Sequence, residues 1–99
     1  MLYIINKNPS QNLALKNCVD QAIAGDVILL IESAVYAVIN AAQSTLLQSL
    51  DDQVSVYALI PDLQARGIAL DQCYGGVNVV DYAGFVGLVT EHQPVRSCF

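Results

Sequence analysis

The sequence predicts an α/β domain, a mostly parallel sheet of four to five strands with helices on both faces. Three observations predict it. Short apolar runs, Leu2–Ile5, Val27–Ile31, Val54–Ile60 and Val77–Val80, alternate with stretches of helical period, the pattern of right-handed βαβ crossovers. Val27–Ile31, VILLI, is continuously aliphatic, as a strand is when both faces of a parallel sheet are covered. In VSVYALIPDLQARG, from Val54 to Gly67, a β-branched and aromatic run meets Pro61, which cannot continue a central strand and presets a first helical turn.

Leu2–Ile5 reads as the first strand, closed by the polar turn Asn6-Lys7-Asn8-Pro9-Ser10. Asn8 with Pro9 at the first helical position, or Ser10 one turn later, caps a helix over about Ser10–Ala24. Leu15, Cys18, Val19, Ala22 and Ile23 share one stripe of it, and Gly25 is its stop. Val27–Ile31 is the central strand, with Glu32 at its tip and Ser33 placed to cap a helix over Ala34–Ala42. A second helical stretch is expected over Ser44–Leu50, and Asp51-Asp52-Gln53 is a solvated turn.

Strand three is Val54–Ile60, followed by a short helix over Asp62–Arg66 that Gly67 ends. Ile68–Gly76 reads as a loop with at most a helical turn in it, and Val77–Val80 as strand four. Asp81 caps a last helix over Tyr82–His92 with Phe85, Val86, Leu88 and Val89 on its apolar side. Beyond Pro94, Val95–Phe99 is either a fifth strand or an extended tail. Neither a repeat nor a linker divides residues 1–99, so one domain is expected.

Composition narrows the function classes. The chain carries 4 basic against 9 acidic residues, net charge -5, and Lys7, Lys16, Arg66 and Arg96 are scattered, which argues against direct docking on nucleic acid. Apolar residues make up 55% and mean hydropathy is +0.47, yet no apolar run approaches the roughly 18 residues a membrane span needs. The surplus apolar surface is therefore expected to face another subunit. MLYIINKNPS lacks the pattern of an export signal, and Cys18, Cys73 and Cys98 are odd in number and without a CxxC. A reducing cytoplasm fits that usage best.

In such a sheet the tips bearing Asn6-Lys7, Glu32-Ser33, Pro61-Asp62 and Asp81-Tyr82 converge on the carboxyl edge, where open α/β folds place function. A flavodoxin-like architecture invites a phosphate loop, but NKNPSQN after strand one has no glycine, so neither nucleotide nor flavin is expected as cofactor. His92, the single histidine, reads as a helix-end residue rather than a metal ligand, and no metal is expected. Asp62 and Arg66 read as an i,i+4 pair, and Glu32, Tyr36, Asp62 and Arg66 together as the sheet-edge surface that meets a partner. Cys18 is either a small buried hydrophobe or a thiol able to carry sulfur as a persulfide, the latter requiring exposure and a lowered pKa. Cys73 reads as an inert loop cysteine, and Cys98 as a terminal residue in disorder or at a subunit contact.

Four segments taken in order, the first strand with NKNPS, the aliphatic run with ESAVYAV, VYALIPDLQARG, and VVDYAGFVGLVTEH, resemble the DsrH/TusB family of small sulfur-relay proteins over about 95 residues. The resemblance implies a DsrE-like fold and assembly with DsrE/TusD-like and DsrF/TusC-like homologous subunits as a dimer of heterotrimers. It implies a DsrC/TusE-like sulfur acceptor as a further partner, and an accessory role for this chain, because the main sulfur-accepting cysteine belongs to the DsrE/TusD-like subunit. The relay serves 2-thiolation of the tRNA wobble uridine in TusB-like members and sulfur oxidation in DsrH-like ones. Cys18 falls where DsrH-like members carry a first-helix cysteine, and is the candidate carrier. Ser33-Ala34 stands where the family often has Asp-Gly, and Ser97-Cys98-Phe99 where it often has a Trp. The other classes in view are a small-molecule-binding module and a homo-oligomeric interaction module.

Overall fold

The two uniformly apolar runs take the middle of the sheet, because only there is a strand covered on both faces. The computed structural model describes residues 1–39 and 41–98. In it β1 (Leu2–Ile5) and β2 (Val27–Leu30) are buried along their whole length. They belong to a five-stranded sheet in which β3 (Ser55–Leu59), β4 (Val77–Val80) and β5 (Val95–Cys98) complete the order β4-β3-β2-β1-β5. Every neighbouring pair is parallel. The apolar alternation divides the core accordingly. Tyr3, Ile5, Ile28, Leu30, Val56 and Ala58 point to one face, and Leu2, Ile4, Val27 and Leu29 to the other.

The connections explain the two faces. The steps from β1 to β2, β3 and β4 all run in one direction across the sheet, so right-handed crossovers put their helices on one side. These are α1 (Ala14–Gln21), a 3-10 helix (Glu32–Val38), α2 (Ala41–Gln48) and α3 (Ile60–Ala65), which bring Leu15, Val35, Leu47 and Leu63 to the first face. The step from β4 to β5 returns across three strands. Its helix, α4 (Tyr82–Glu91), lies on the opposite side and packs Phe85, Leu88 and Val89 there. Gly84 fits this helix against the sheet: a Cβ on it would lie 2.9 Å from that of Val80.

Several boundaries differ from those expected, each for a local reason. α1 begins at Ala14 rather than Ser10. The Asn8 carboxamide oxygen accepts from the Ser10 N–H at 3.0 Å and that of Asn12 from the Ala14 N–H at 2.7 Å, so two successive Asx turns hold the chain out of the helix for one more turn. The helix expected over Ala34–Ala42 starts two residues early and is 3-10 through Val38, and Ser33 does not cap it. The acceptor at its start comes from Asp62, on α3. Residue 40 of that expected helix lies outside the described residues. The second stretch runs over Ala41–Gln48 rather than Ser44–Leu50. A 3-10 turn, Leu70–Gln72, occupies the loop before β4.

The proline and glycine readings at the tip of β3 hold. Pro61 lies in the first turn of α3, and Gly67, at φ 68°, ends it. Asp81 caps α4 by accepting the Gly84 N–H at 2.8 Å. The segment after Pro94 is a strand, parallel to β1, with Leu2 opposite Val95 and Ile5 opposite Cys98. Phe99 lies outside the described residues.

Candidate functional site: a sheet-edge network and a two-thiol cleft

At the carboxyl edge the tips of β1, β2 and β3 meet. Asp62, in the first turn of α3, accepts the Glu32 backbone N–H at 2.8 Å. Glu32 is held at φ 52°, the left-handed region that a non-glycine side chain enters at a cost, and its carboxylate accepts weakly from Asn6 at 3.4 Å. Arg66 donates to the Asp62 carbonyl at 3.2 Å and lies 3.7 Å from its carboxylate, the i,i+4 pair expected from the sequence. The Arg66 guanidinium also sits over the Tyr36 ring, 6.0 Å from its centroid. Glu32, Tyr36, Asp62 and Arg66 are thus one connected cluster. Each of its charges is already engaged, and no nucleophile accompanies them.

A cleft of about 610 Å³ opens elsewhere, between α1 and the strands β1 and β5. It lies where the strand order turns back on itself, beside the first strand. Tyr3, Asn17, Cys18, Gln21, Arg96 and Cys98 line it. Cys18 forms its floor at 2% exposure, and Cys98 its half-buried edge. Burial, with the fields of Cys98 and Asp26 added, pushes the Cys18 thiol up to about 12, against a smaller opposing pull from Arg96. Burial also raises Cys98, while the Arg96 guanidinium works against that rise. The Tyr3 phenol is raised by burial and then by Asp26, Cys18 and Cys98, so the two thiols and this ring share one small volume.

Of the residues singled out from the sequence, Cys18 lies in this cleft and the other four form the edge cluster. Cys73 is at the opposite margin of the sheet, ahead of β4, its Sγ 3.8 Å from the Ala69 carbonyl oxygen. The sequence leaves Val95–Phe99 open between a fifth strand and an extended tail and gives Arg96 no role. Period-two spacing puts Arg96 and Cys98 on one face of a strand, and that signal becomes legible once Val95–Cys98 is added beside β1. Among the described residues no group of three His, Cys, Asp or Glu could hold a metal ion. No helix among them is long and apolar enough to cross a membrane. Large apolar side chains remain exposed, among them Leu13 and Ile23 flanking α1, and Tyr82 and Val86 on α4.

The fold is shared with several solved structures, which places the chain in a class of small α/β domains. The crystal structure of the ychN protein from E. coli matches with a TM-score of 0.76 at 18% identity, covering 97% of each chain. The solution structure of protein Tm0979 from Thermotoga maritima matches with a TM-score of 0.68 at 24% identity, covering 94% of this chain and 95% of that one. Within this class the chain belongs to the DsrH-like protein family, which matches residues 7–95. It is 37% identical over 99 residues to Protein TusB of Buchnera aphidicola subsp. Baizongia pistaciae, covering 98% of this chain and 99% of that protein. It is likewise 37% identical over 96 residues to Protein TusB of Photorhabdus laumondii, covering 94% and 95%.

Proposed function

We propose that this chain is a subunit of a cytoplasmic sulfur-relay complex that passes persulfide sulfur between proteins, serving 2-thiolation of the tRNA wobble uridine. The observation that carries the reading is family membership over residues 7–95, with TusB relatives aligned over nearly the whole chain. Those relatives favour the tRNA branch over sulfur oxidation. The partners are TusD-like and TusC-like homologous subunits in a dimer of heterotrimers, with a TusE-like protein as acceptor. The main sulfur-accepting cysteine belongs to the TusD-like subunit; Cys18 is the candidate carrier in this chain, although its burial and raised thiol are the opposite of the exposure and lowered pKa that a carrier needs when it acts alone.

The surface supports a chain that needs partners. Tyr82 at 62% and Val86 at 60% exposure are one turn apart on α4, a placement that water disfavours and a subunit contact would cover. The connected cluster of Glu32, Tyr36, Asp62 and Arg66 supplies a shaped, charge-paired edge for the same assembly. Co-expression with TusC-like and TusD-like chains tests the reading. Co-elution as one species, and slower sulfur delivery to a TusE-like acceptor when this chain is omitted, is the expected result. A chain that forms homo-oligomers and ignores both partners overturns it.

A further inference from the structure

The cleft between α1 and β5 holds two thiols with different access. Cys18 is floor and Cys98 is edge, and a bulky donor reaching the cleft from solvent meets Cys98 first. Their alignment follows from register. α1 leads from the carboxyl end of β1 to the amino end of β2, so it runs antiparallel to β1 and β5. The Arg96 guanidinium donates to the Gln21 carboxamide oxygen at 3.2 Å, which pins the two elements at one level. From there two residues along the strand, about 6.6 Å, lead to Cys98 on the same face. Three residues back along the helix, about 4.5 Å in the same direction, lead to Cys18. Both thiols therefore lie on the same side of the Arg96–Gln21 contact and line one cleft, close enough for each to stand in the other's field.

We propose that Cys98 is the thiol that receives sulfur from an external persulfide and that Cys18 is the buried acceptor to which Cys98 passes it. The inference rests on the reading of Cys18 as a carrier and adds the route by which sulfur reaches it. In the first step the Cys98 thiolate attacks the outer sulfur of a donor persulfide. A bond forms between that sulfur and Cys98 Sγ, the donor S–S bond breaks, and the donor leaves as its thiol with the proton of the outer sulfur. In the second step Cys18 Sγ attacks the same outer sulfur. The bond to Cys98 breaks, and the Cys18 proton goes to the departing Cys98 sulfur. One sulfane sulfur has moved twice with no net oxidation.

The second step explains how so buried a thiol can react. To attack a donor held in solvent, Cys18 would have to ionise first, which its surroundings in the cleft oppose strongly. Inside it the leaving sulfur takes the proton in the same event, so no free Cys18 thiolate has to persist. Arg96 lies on the same strand face as Cys98 and offsets part of the rise that burial gives its thiol, so Cys98 is opposed less than Cys18.

Glutathione persulfide is the probe, applied to the full chain in a Cys73→Ser background for short times, quenched by alkylation and mapped by peptide mass spectrometry. The expected result is sulfur on Cys98 first and on Cys18 afterwards. Cys98→Ser should slow loading of Cys18 by roughly tenfold or more, while Cys18→Ala should leave the initial loading of Cys98 within about twofold. Thermal melting of each variant verifies that it folds. If Cys98→Ser loads Cys18 at the undiminished rate, the inference is overturned and the carrier reading stands. If sulfur reaches Cys98 and never Cys18, the inward transfer and the carrier reading both fall.

Discussion

The carboxylate of Asp62 accepts the backbone N–H of Glu32 at 2.8 Å, joining the helix after β3 to the turn after β2. That single bond closes the start of the 3-10 helix, a position the sequence assigns to Ser33. Replacing Asp62 by Ala removes it together with the Arg66 pair, and the expected loss of stability is about 1–2 kcal/mol. Urea unfolding should show a lower midpoint with an unchanged slope. Asp62→Asn, which keeps an acceptor oxygen, should recover part of the loss.

Glu32 itself is strained, at φ 52°. Glycine pays no Cβ penalty in the left-handed region, so Glu32→Gly should leave stability unchanged or raise it by up to about 1 kcal/mol. Glu32→Val should lower it, since a β-branched side chain fits that region worst. Thermal melts of the two variants check the opposite signs.

The Cys18 thiol has its pKa raised from 9.0 to about 12. Above pH 9 the unfolded chain releases this proton and the folded chain keeps it, so the stability it contributes is complete below about 9 and is lost as the pH rises towards 12. The slope is at most about 1.4 kcal/mol per pH unit for one proton. Cys18→Ala should therefore show a shallower fall in urea midpoint between pH 9 and 12 than the unaltered chain. Tyr74, raised by burial from 10.0 to about 12, adds to the upper part of that window, and Tyr74→Phe should remove its share. At pH 8, iodoacetamide should label Cys98 and Cys73 well before Cys18.

Asp26 is buried beside the amino end of β2. One carboxylate oxygen lies 3.1 Å from the Met1 ammonium, and the other accepts the Ile23 N–H at 2.9 Å. Asp26→Ala leaves both donors without their partner and should cost about 2 kcal/mol, read as a lower denaturant midpoint. Asp20, exposed and paired with Lys16 at i,i+4, is the contrast: Asp20→Ala should change stability by less than about 0.5 kcal/mol.

Those contrasts mirror what was legible in advance. The class of fold followed from apolar runs of strand length between helical periods, and the central place of β2 from its unbroken aliphatic composition. Pro61, Gly67 and Asp81 act locally, through fixed φ, positive φ and a side-chain cap, so their roles could be read from neighbours alone. The start of α1 was misjudged because Asn8 and Asn12 compete for backbone amides, and the start of the 3-10 helix because its acceptor lies thirty residues away in sequence. The cleft was illegible for a similar reason. Cys18 and Cys98 are separated by nearly the whole chain, and only the β1–β5 pairing brings them to one level.

The position of β5 beside β1 has a consequence in time. Leu2 donates its N–H to the Pro94 carbonyl at 3.0 Å, so the first strand finds one of its two neighbours only after all the other strands have left the ribosome. Until then one edge of β1 and the wall of α1 facing it lie open, and Cys18 lacks one of the walls of its cleft. Docking of the late strand closes that window and delivers Cys98 in the same movement. A nascent chain is thus less shielded from thiol-reactive compounds at this site than the finished protein, and the gain in protection dates the docking of the last strand.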